Sequence, residues 1–135
     1  MAITRAAVQS WLDRYVRAWR DYDPEAIGDL FSADAVYAYH PWDERPIRGR
    51  DAIVADWLGE RDAPDSWDAT YAPLAVDGDL AVITGRTFYR NPDGSPRTEY
   101  WNSWVLRFDQ DGRCAEFTEW FMEPSRESDG AGSGD

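Results

Sequence analysis

Long segments of alternating apolar and polar residues, separated by short turn sequences, fill the second half of the chain. The segments span residues 67–76, 80–90, 98–108 and 113–123. The sequences between them are Asp77-Gly78-Asp79, Asn91-Pro92-Asp93-Gly94 and Asp109-Gln110-Asp111-Gly112. Alternation is typical of half-buried strands, and Gly, Asp, Asn and Pro favour the tight turns that join antiparallel neighbours. The pattern predicts a four-stranded antiparallel meander with one apolar face to be covered.

The first half of the chain supplies helices that could cover this face. Apolar residues between Thr4 and Tyr22 recur at helical spacing, which predicts one amphipathic helix. Asp23 as N-cap and Pro24 at the first helical position predict a second helix, with Leu30 and Phe31 on its inner face. Alternation over 35–40 predicts a short strand, and a third helix is expected over 51–58.

This order of elements predicts an α+β fold, a cone-shaped curved antiparallel sheet with three N-terminal helices packed on its concave face. We expect the domain to span residues 1–124. Residues 125–135 are rich in Gly, Ser and acidic residues and are expected to form a disordered tail.

Charge and composition narrow the possible partners and chemistry. The chain has 26 acidic against 14 basic residues, a formal net charge of −12, so nucleic acid and anionic membranes are not expected to bind. Every basic residue is Arg, which excludes a lysine Schiff base. A single Cys (Cys114) and a single His (His40) argue against a metal site, and we expect no cofactor.

The sequence also bears on location. The N-terminal residues carry charges and lack the apolar stretch of a signal peptide. No apolar run approaches the ~20 residues of a membrane span. We therefore expect a cytoplasmic protein. From its negative net charge, we expect its ligand to be a neutral or cationic small molecule, or another protein.

A polar row is predicted on the inner face of the meander. In the third strand Asn102 and Trp104 belong to the more apolar, inward row, and a turn centred on residues 110 and 111 pairs Asn102 with Glu119. If the even-numbered residues of the second strand also point inward, Arg86 joins this row. The row is either a satisfied buried network or a working site, and sequence alone leaves both interpretations open.

Two further residues are candidates from their position. His40 is the one side chain whose unperturbed pKa lies near neutrality, and it ends the predicted first strand; the alternative is a structural, hydrogen-bonded histidine. Tyr15 lies on the helix stripe that faces the sheet; the alternative is an ordinary core residue.

Five strings, together with the order of elements, resemble the nuclear transport factor 2-like superfamily and, within it, the SnoaL-like group. The resemblance covers about Val8 to Glu123. The five sequence segments that support it are Trp11-Leu12-Asp13-Arg14-Tyr15, Asp23-Pro24-Glu25-Ala26-Ile27, Leu30-Phe31-Ser32-Ala33-Asp34-Ala35, Ile47-Arg48-Gly49-Arg50-Asp51-Ala52-Ile53 and Phe117-Thr118-Glu119-Trp120-Phe121. This superfamily includes ketosteroid isomerases, polyketide cyclases, epoxide hydrolases, dehydratases and non-catalytic modules, so the fold does not name the reaction.

Resemblance to two of these classes implies roles for individual residues. Similarity to ketosteroid isomerases implies that Tyr15 stabilises an oxyanion and that His40 shuttles a proton, with Tyr39 as the alternative after a one-residue slip. Trp104 stands where that family has a second oxyanion donor. Similarity to limonene-type epoxide hydrolases places Glu119 at the water-activating carboxylate and Arg86 near a bridging arginine.

The leading hypothesis is a cofactor-independent enzyme that uses general acid–base catalysis on a small, largely apolar, uncharged metabolite. His40 would move the proton, Tyr15 and Trp104 would donate hydrogen bonds, and Glu119, oriented by Arg86 and Asn102, would be the second acid–base group. The remaining substrate contacts would come from an apolar wall: Trp42, Trp57, Phe88, Tyr100, Phe117 and Phe121.

Two non-catalytic alternatives remain. The same cavity could hold a ligand unchanged, or the domain could serve dimerisation. An outward apolar row on the last two strands favours a homodimer through the outer sheet face. Its members are Trp101, Val105, Trp120 and Met122.

Overall fold

The computed structural model describes residues 2–124; the predicted tail lies outside the described residues. Its elements are α1 (Arg5–Asp21), α2 (Pro24–Gly28), β1 (Phe31–Ala38), β2 (Ile47–Arg48), α3 (Arg50–Gly59), β3 (Trp67–Asp77), β4 (Leu80–Arg90), β5 (Pro96–Phe108) and β6 (Cys114–Met122). The predicted α+β class is confirmed. No helix in this part of the chain has the length and apolar character needed to cross a membrane.

The six strands form one curved, open sheet in the order β2-β1-β6-β5-β4-β3. Strands β3 to β6 form the predicted antiparallel meander. Strand β1 extends the sheet by pairing in parallel with β6, and β2 pairs antiparallel with β1. The helices cover the concave face, so the core lies between them and the sheet.

Local sequence explains the first two helices. Thr4 caps α1 by accepting a hydrogen bond from the Ala7 amide at 3.0 Å. The side chain of Asp23 caps α2 through the Glu25 amide at 3.1 Å, with Pro24 at the first helical position as predicted. The buried stripe of α1 consists of Val8, Trp11, Leu12, Tyr15 and Ala18.

The placement of Leu30 and Phe31 on α2 is wrong. Helix α2 ends at Gly28, and β1 already begins at Phe31. The Leu30 carbonyl accepts a hydrogen bond from the Cys114 amide at 2.8 Å, and Phe31 pairs with Cys114. The apolar residues Leu30 and Phe31 also fit the inner face of a helix, but this segment instead forms hydrogen bonds with β6.

The predicted pairing of β5 with β6 is shifted by two residues. Trp104 pairs with Glu119 and Asn102 pairs with Phe121. One residue of the shift arises at the turn, where Phe108 pairs with Cys114 instead of Arg113, and the second arises from the irregularity between Arg107 and Phe108. A shift of two residues keeps every side chain on its face. Glu119 therefore still points toward the concave side.

The face assigned to β4 is wrong. The buried residues of β4 are Ala81, Ile83 and Thr87, so Arg86 and Phe88 lie on the outer, convex face. Arg86 forms a salt bridge with Glu99 at 2.6 Å and stacks over the rings of Trp101 and Phe88. Its guanidinium finds its partners outside the cavity, which is why the inward position predicted for it fails.

The inward positions of β4 include Gly85, whose lack of a side chain is required by packing. A Cβ at this position would collide with the Thr70 carbonyl oxygen and with the Tyr71 ring on β3. Gly85 therefore lets the Tyr71 side chain on β3 pack directly against the backbone of β4. Tyr71 contributes its hydroxyl to the site described next.

Candidate functional site

A cavity of about 370 Å³ lies between the helices and the concave face of the sheet. This volume is at the lower end of the range for small-molecule pockets. All seven tyrosines of the chain line it. The lining residues are Tyr15, Trp19, Tyr22, Tyr37, Tyr39, Asp56, Trp57, Glu60, Asp62, Tyr71, Thr87, Tyr89, Tyr100, Asn102, Trp104, Glu119 and Phe121.

Glu119 on β6 is the carboxylate on the sheet side of the cavity. Its Oε2 accepts hydrogen bonds from Asn102 Nδ2 at 2.7 Å and from Trp104 Nε1 at 3.1 Å. Burial raises the pKa of the Glu119 carboxyl above its ordinary value, and the two hydrogen bonds together with the charge of His40 only partly offset this rise. The site thus holds a partly desolvated carboxylate in a fixed orientation.

A chain of hydrogen bonds leads across the sheet to Glu119. Thr87 Oγ1 donates to Asn102 Oδ1 at 2.9 Å. Because a hydroxyl has one hydrogen, the 2.6 Å contact between Tyr71 Oη and Thr87 Oγ1 has Tyr71 as the donor. Each donor from Tyr71 through Thr87 and Asn102 therefore points toward Glu119.

This polarity distinguishes the two oxygens of Glu119. Oε2 already accepts two hydrogen bonds, whereas Oε1 accepts none from the described residues. A proton bound to Glu119 therefore resides on Oε1.

A pair of tyrosines provides hydrogen-bond donors near the carboxylate. Tyr15 Oη and Tyr37 Oη are 3.1 Å apart. One of their two hydroxyl hydrogens is shared between them, which leaves the other free to donate. Burial is the main cause that raises the pKa of both phenols, and the charge of Glu119 adds to it, so both remain neutral donors.

The remaining charged lining residues belong to the end of α3 and the segment that follows it. Tyr39 Oη donates to Asp56 Oδ2 at 2.6 Å, and Trp19 Nε1 donates to Asp62 Oδ2 at 3.0 Å. Glu60, one helical turn after Asp56, is exposed. We call Asp56, Glu60 and Asp62 the acidic rim.

Seven of the side chains singled out from the sequence line this cavity: Tyr15, Trp57, Tyr100, Asn102, Trp104, Glu119 and Phe121. Phe117 is buried beneath it, stacked on Tyr37 with ring centroids 4.1 Å apart. Arg86 and Phe88 lie on the opposite face of the sheet. Trp42 is 74% exposed and stacks on His40.

His40 is not among the residues that line the cavity, although its ring lies 6.3 Å from that of Phe121 and its charge acts on Glu119. Strand β1 ends at Ala38, and its inward alternation is taken by Tyr37 and then Tyr39, both of which line the cavity. His40 follows Tyr39 in a turn in which its carbonyl accepts from the Asp43 amide at 3.1 Å. Its Nδ1 is buried with no hydrogen-bond partner among the described residues.

Sequence reasoning missed most of the tyrosines and the whole acidic rim. Tyr37 and Tyr39 alternate within the first predicted strand, and the alternative to His40 already named Tyr39. Asp56, Glu60 and Asp62 cluster at the end of the predicted third helix and just after it, a concentration of acidic residues that could have indicated the rim. Across residues 2–124 no three His, Cys, Asp or Glu side chains are grouped so that they could hold a metal ion.

Three solved structures share this fold. An NTF2-like protein of unknown function from Cytophaga hutchinsonii matches with a TM-score of 0.66 and 13% identity, over 87% of this chain and 98% of its own. An NTF-2 like protein of unknown function from Burkholderia xenovorans has a TM-score of 0.67 and 16% identity, over 96% and 97%. An LEH-like epoxide hydrolase from M. tuberculosis has a TM-score of 0.65 and 15% identity, over 87% and 84%.

At these identities the similarities show the fold, and they confirm the nuclear transport factor 2-like architecture expected from the sequence. No curated protein sequence matches this chain. The model of the SnoaL-like domain matches residues 12–117, most of the chain. The protein therefore belongs to the SnoaL-like domain family.

Proposed function

We propose that this SnoaL-like protein is a cofactor-independent enzyme that uses general acid–base catalysis on a small, largely apolar molecule. Glu119 is the group that accepts and returns the proton. The observation that carries the proposal is the asymmetry of its carboxylate: Oε2 is held by Asn102 and Trp104 at 2.7 and 3.1 Å, and Oε1 is left for the ligand.

The environment of Glu119 suits a base. A carboxylate with an ordinary pKa near 4.3 is a weak base at neutral pH. Burial raises the pKa of Glu119, and a base whose pKa lies closer to the working pH transfers protons more effectively. The fixed orientation of the carboxylate removes the cost of arranging it during the reaction.

The tyrosine pair supplies the complementary electrophilic group. When a proton leaves a carbon next to a carbonyl group, negative charge develops on the carbonyl oxygen. The spare hydrogen of the Tyr15 and Tyr37 pair is available to bond to that oxygen. Donors already held in place at a developing oxyanion are worth several kcal/mol in other enzymes.

The lining residues favour proton abstraction from carbon over epoxide opening. The LEH-like epoxide hydrolase has the same fold, but among the described residues no arginine lines the cavity. The bridging arginine implied by the resemblance to epoxide hydrolases therefore has no counterpart in Arg86. Isomerisation and cyclisation through an enolate need a base and hydrogen-bond donors, and dehydration also needs the protonated base to give its proton to the leaving hydroxyl group.

The base elimination of 5-nitrobenzisoxazole tests this proposal without knowledge of the natural substrate. Glu119 takes the proton from the ring carbon, the electron pair forms the nitrile, and the N–O bond breaks to leave a phenolate that absorbs visible light. We expect Glu119→Gln to lower kcat/KM by about 10²-fold or more, with Glu44→Gln, an exposed loop residue, as the control.

An unchanged rate in Glu119→Gln would contradict the proposal. The alternative function, a domain that binds a ligand without changing it, is supported if the probe binds in the cavity and no elimination depends on Glu119. The two outcomes are separated by measuring the binding of the probe and its turnover on the same variants.

We also propose that the protein forms a homodimer through the outer face of β5 and β6. Trp101, Trp120 and Met122 are 50%, 44% and 69% exposed, and Val105 lies in the same outward row. Apolar side chains that are adjacent and exposed favour a self-complementary interface. Sedimentation should give a dimer at micromolar concentration and a monomer for Trp120→Glu; a monomeric parent protein would contradict this proposal.

A further inference from the structure

We propose that the ligand of this cavity carries a positively charged amine, which binds at the acidic rim while its uncharged part extends toward Glu119. This inference rests on the proposed function, since it concerns the substrate of the same cavity. It replaces the uncharged metabolite expected from the sequence.

The charges that line the cavity are all of one sign. Asp56, Glu60, Asp62 and Glu119 are the charged residues of the lining, and within residues 2–124 neither an arginine nor His40 joins them. In a concave site with apolar walls, such charges attract cations and repel anions more strongly than they would on a flat surface. A carboxylate or phosphate ligand is therefore disfavoured.

Asp56 and Glu60 contrast with carboxylates that an arginine neutralises elsewhere in the protein. Asp68, Asp79 and Glu99 each form a salt bridge with an arginine at 2.6 to 2.9 Å. No described salt bridge involves Asp56 or Glu60, although the chain has arginines on neighbouring elements. Arg61, next in sequence to Glu60, stacks instead over the Tyr22 ring. The negative charge at the rim is thus left for a ligand.

Acceptor atoms are also left free at the rim. Asp56 uses Oδ2 to accept from Tyr39, and no described donor occupies Oδ1. Glu60 takes part in no described hydrogen bond. An ammonium group has three hydrogens to donate and no acceptor. Its needs match the two carboxylates, one on the last turn of α3 and the other on the residue that follows the helix.

Aromatic rings line the cavity together with the rim. Tyr39 and Trp57 are two of them, and Tyr39 is 37% exposed. The face of an aromatic ring attracts a cation, an interaction worth about 0.5–1 kcal/mol at exposed sites and more where water is excluded. Carboxylates combined with aromatic faces form a site for an amine rather than for a neutral polar group.

Three probes of matched shape test this inference: 2-phenylethylammonium, 2-phenylethanol and phenylacetate. Their dissociation constants are measured at about pH 7 by calorimetry and by the fluorescence of the lining tryptophans, at low and high salt. We expect the ammonium probe to bind about tenfold more tightly than the alcohol and to weaken with salt. Phenylacetate should bind most weakly.

The variant Asp56→Asn/Glu60→Gln should bring the affinity of the ammonium probe to that of the alcohol, because it removes both charges and keeps the acceptor for Tyr39. The control Glu44→Gln/Asp77→Asn removes the same charge at exposed positions away from the cavity and should retain the preference. Equal affinity of ammonium and alcohol in the parent protein, or a preference that survives in the rim variant, would overturn the inference.

These outcomes are independent of the proposed catalysis. The benzisoxazole probe is neutral and reports on Glu119, so elimination that depends on Glu119 can persist when the amine preference fails. Amine binding without such elimination would leave the inference standing and contradict the acid–base function. Failure of all three probes to bind would overturn the amine inference and leave the elimination assay to decide the function.

Discussion

Asn102 donates a hydrogen bond from Nδ2 to Oε2 of Glu119 at 2.7 Å, and its own Oδ1 accepts from Thr87 at 2.9 Å. The amide therefore has one orientation that satisfies both neighbours. It links three adjacent strands, β4, β5 and β6, and it leaves Oε1 as the oxygen of Glu119 without a donor among the described residues.

Thr87→Val tests this orientation. Valine has nearly the same shape but leaves Asn102 Oδ1 and the Tyr71 hydroxyl without their buried partner, so we expect a loss of about 1–3 kcal/mol in the free energy of unfolding. Denaturant titration measures it. Thr84→Val, on the exposed side of the same strand, is the control and should change stability by no more than about 0.5 kcal/mol. Equal effects of the two changes would argue against the hydrogen-bond chain.

Trp104→Phe removes one of the two N–H donors that stabilise the charged form of Glu119. The pKa of Glu119 should therefore rise further, and the acid limb of the pH profile for benzisoxazole elimination should move up by about one unit. Trp57→Phe alters the same cavity without touching Glu119 and should leave the limb in place. A limb that stays fixed in Trp104→Phe would mean that the indole does not influence the acid–base group.

Glu119→Gln should change how stability depends on pH. The folded pKa of Glu119 is raised, so as pH rises above the ordinary value near 4.3 the unfolded state loses its proton while the folded state keeps it. Wild-type stability from this group is greatest below that pH and is lost as pH rises through the folded pKa. Each unit of the raised pKa corresponds to about 1.4 kcal/mol.

The difference in unfolding free energy between Glu119→Gln and wild type should accordingly move in favour of the variant between about pH 4 and pH 7. Glu44→Gln, which alters an exposed carboxyl group, should give a flat difference over the same range. A flat difference for Glu119→Gln as well would indicate a carboxyl group that is not desolvated.

Gly85→Ala tests the close packing of the Tyr71 side chain on β3 against the backbone of β4. The added Cβ would meet the Thr70 carbonyl and the Tyr71 ring, so we expect a destabilisation of at least about 2 kcal/mol. Gly59→Ala, where the Cβ would enter open space at the end of α3, should be neutral or slightly stabilising. Thermal unfolding of both variants decides, and similar melting temperatures would contradict the packing described for β3 and β4.

The sequence predicted the elements well because their signals are local. Helical spacing, the Asp23 cap and the turns at Gly78, Gly94 and Gly112 each depend on a few neighbouring residues. Glu119 was placed on the correct face despite a register error, because an even shift preserves the alternation of a strand. The resemblance to the SnoaL-like group, which rests on short sequence segments rather than on element order alone, predicted the same fold.

The errors arose where two faces of a strand look alike. In β4 the row that contains Arg86 and Phe88 is as apolar as the inward row with Gly85 and Thr87, so alternation could not choose between them. The cavity itself combines α1, α3 and five strands, and which tyrosines converge depends on packing across distant segments. Proximity of the acidic rim to Glu119 is a property of the tertiary fold that no local pattern encodes.

Titration of the Glu119 carboxyl carbon by ¹³C NMR, assigned by comparison with Glu119→Gln, tests directly whether this acid–base group is desolvated. We expect a midpoint clearly above the ordinary value of about 4.3, because burial outweighs the two hydrogen bonds. A midpoint at or below that value would contradict this expectation.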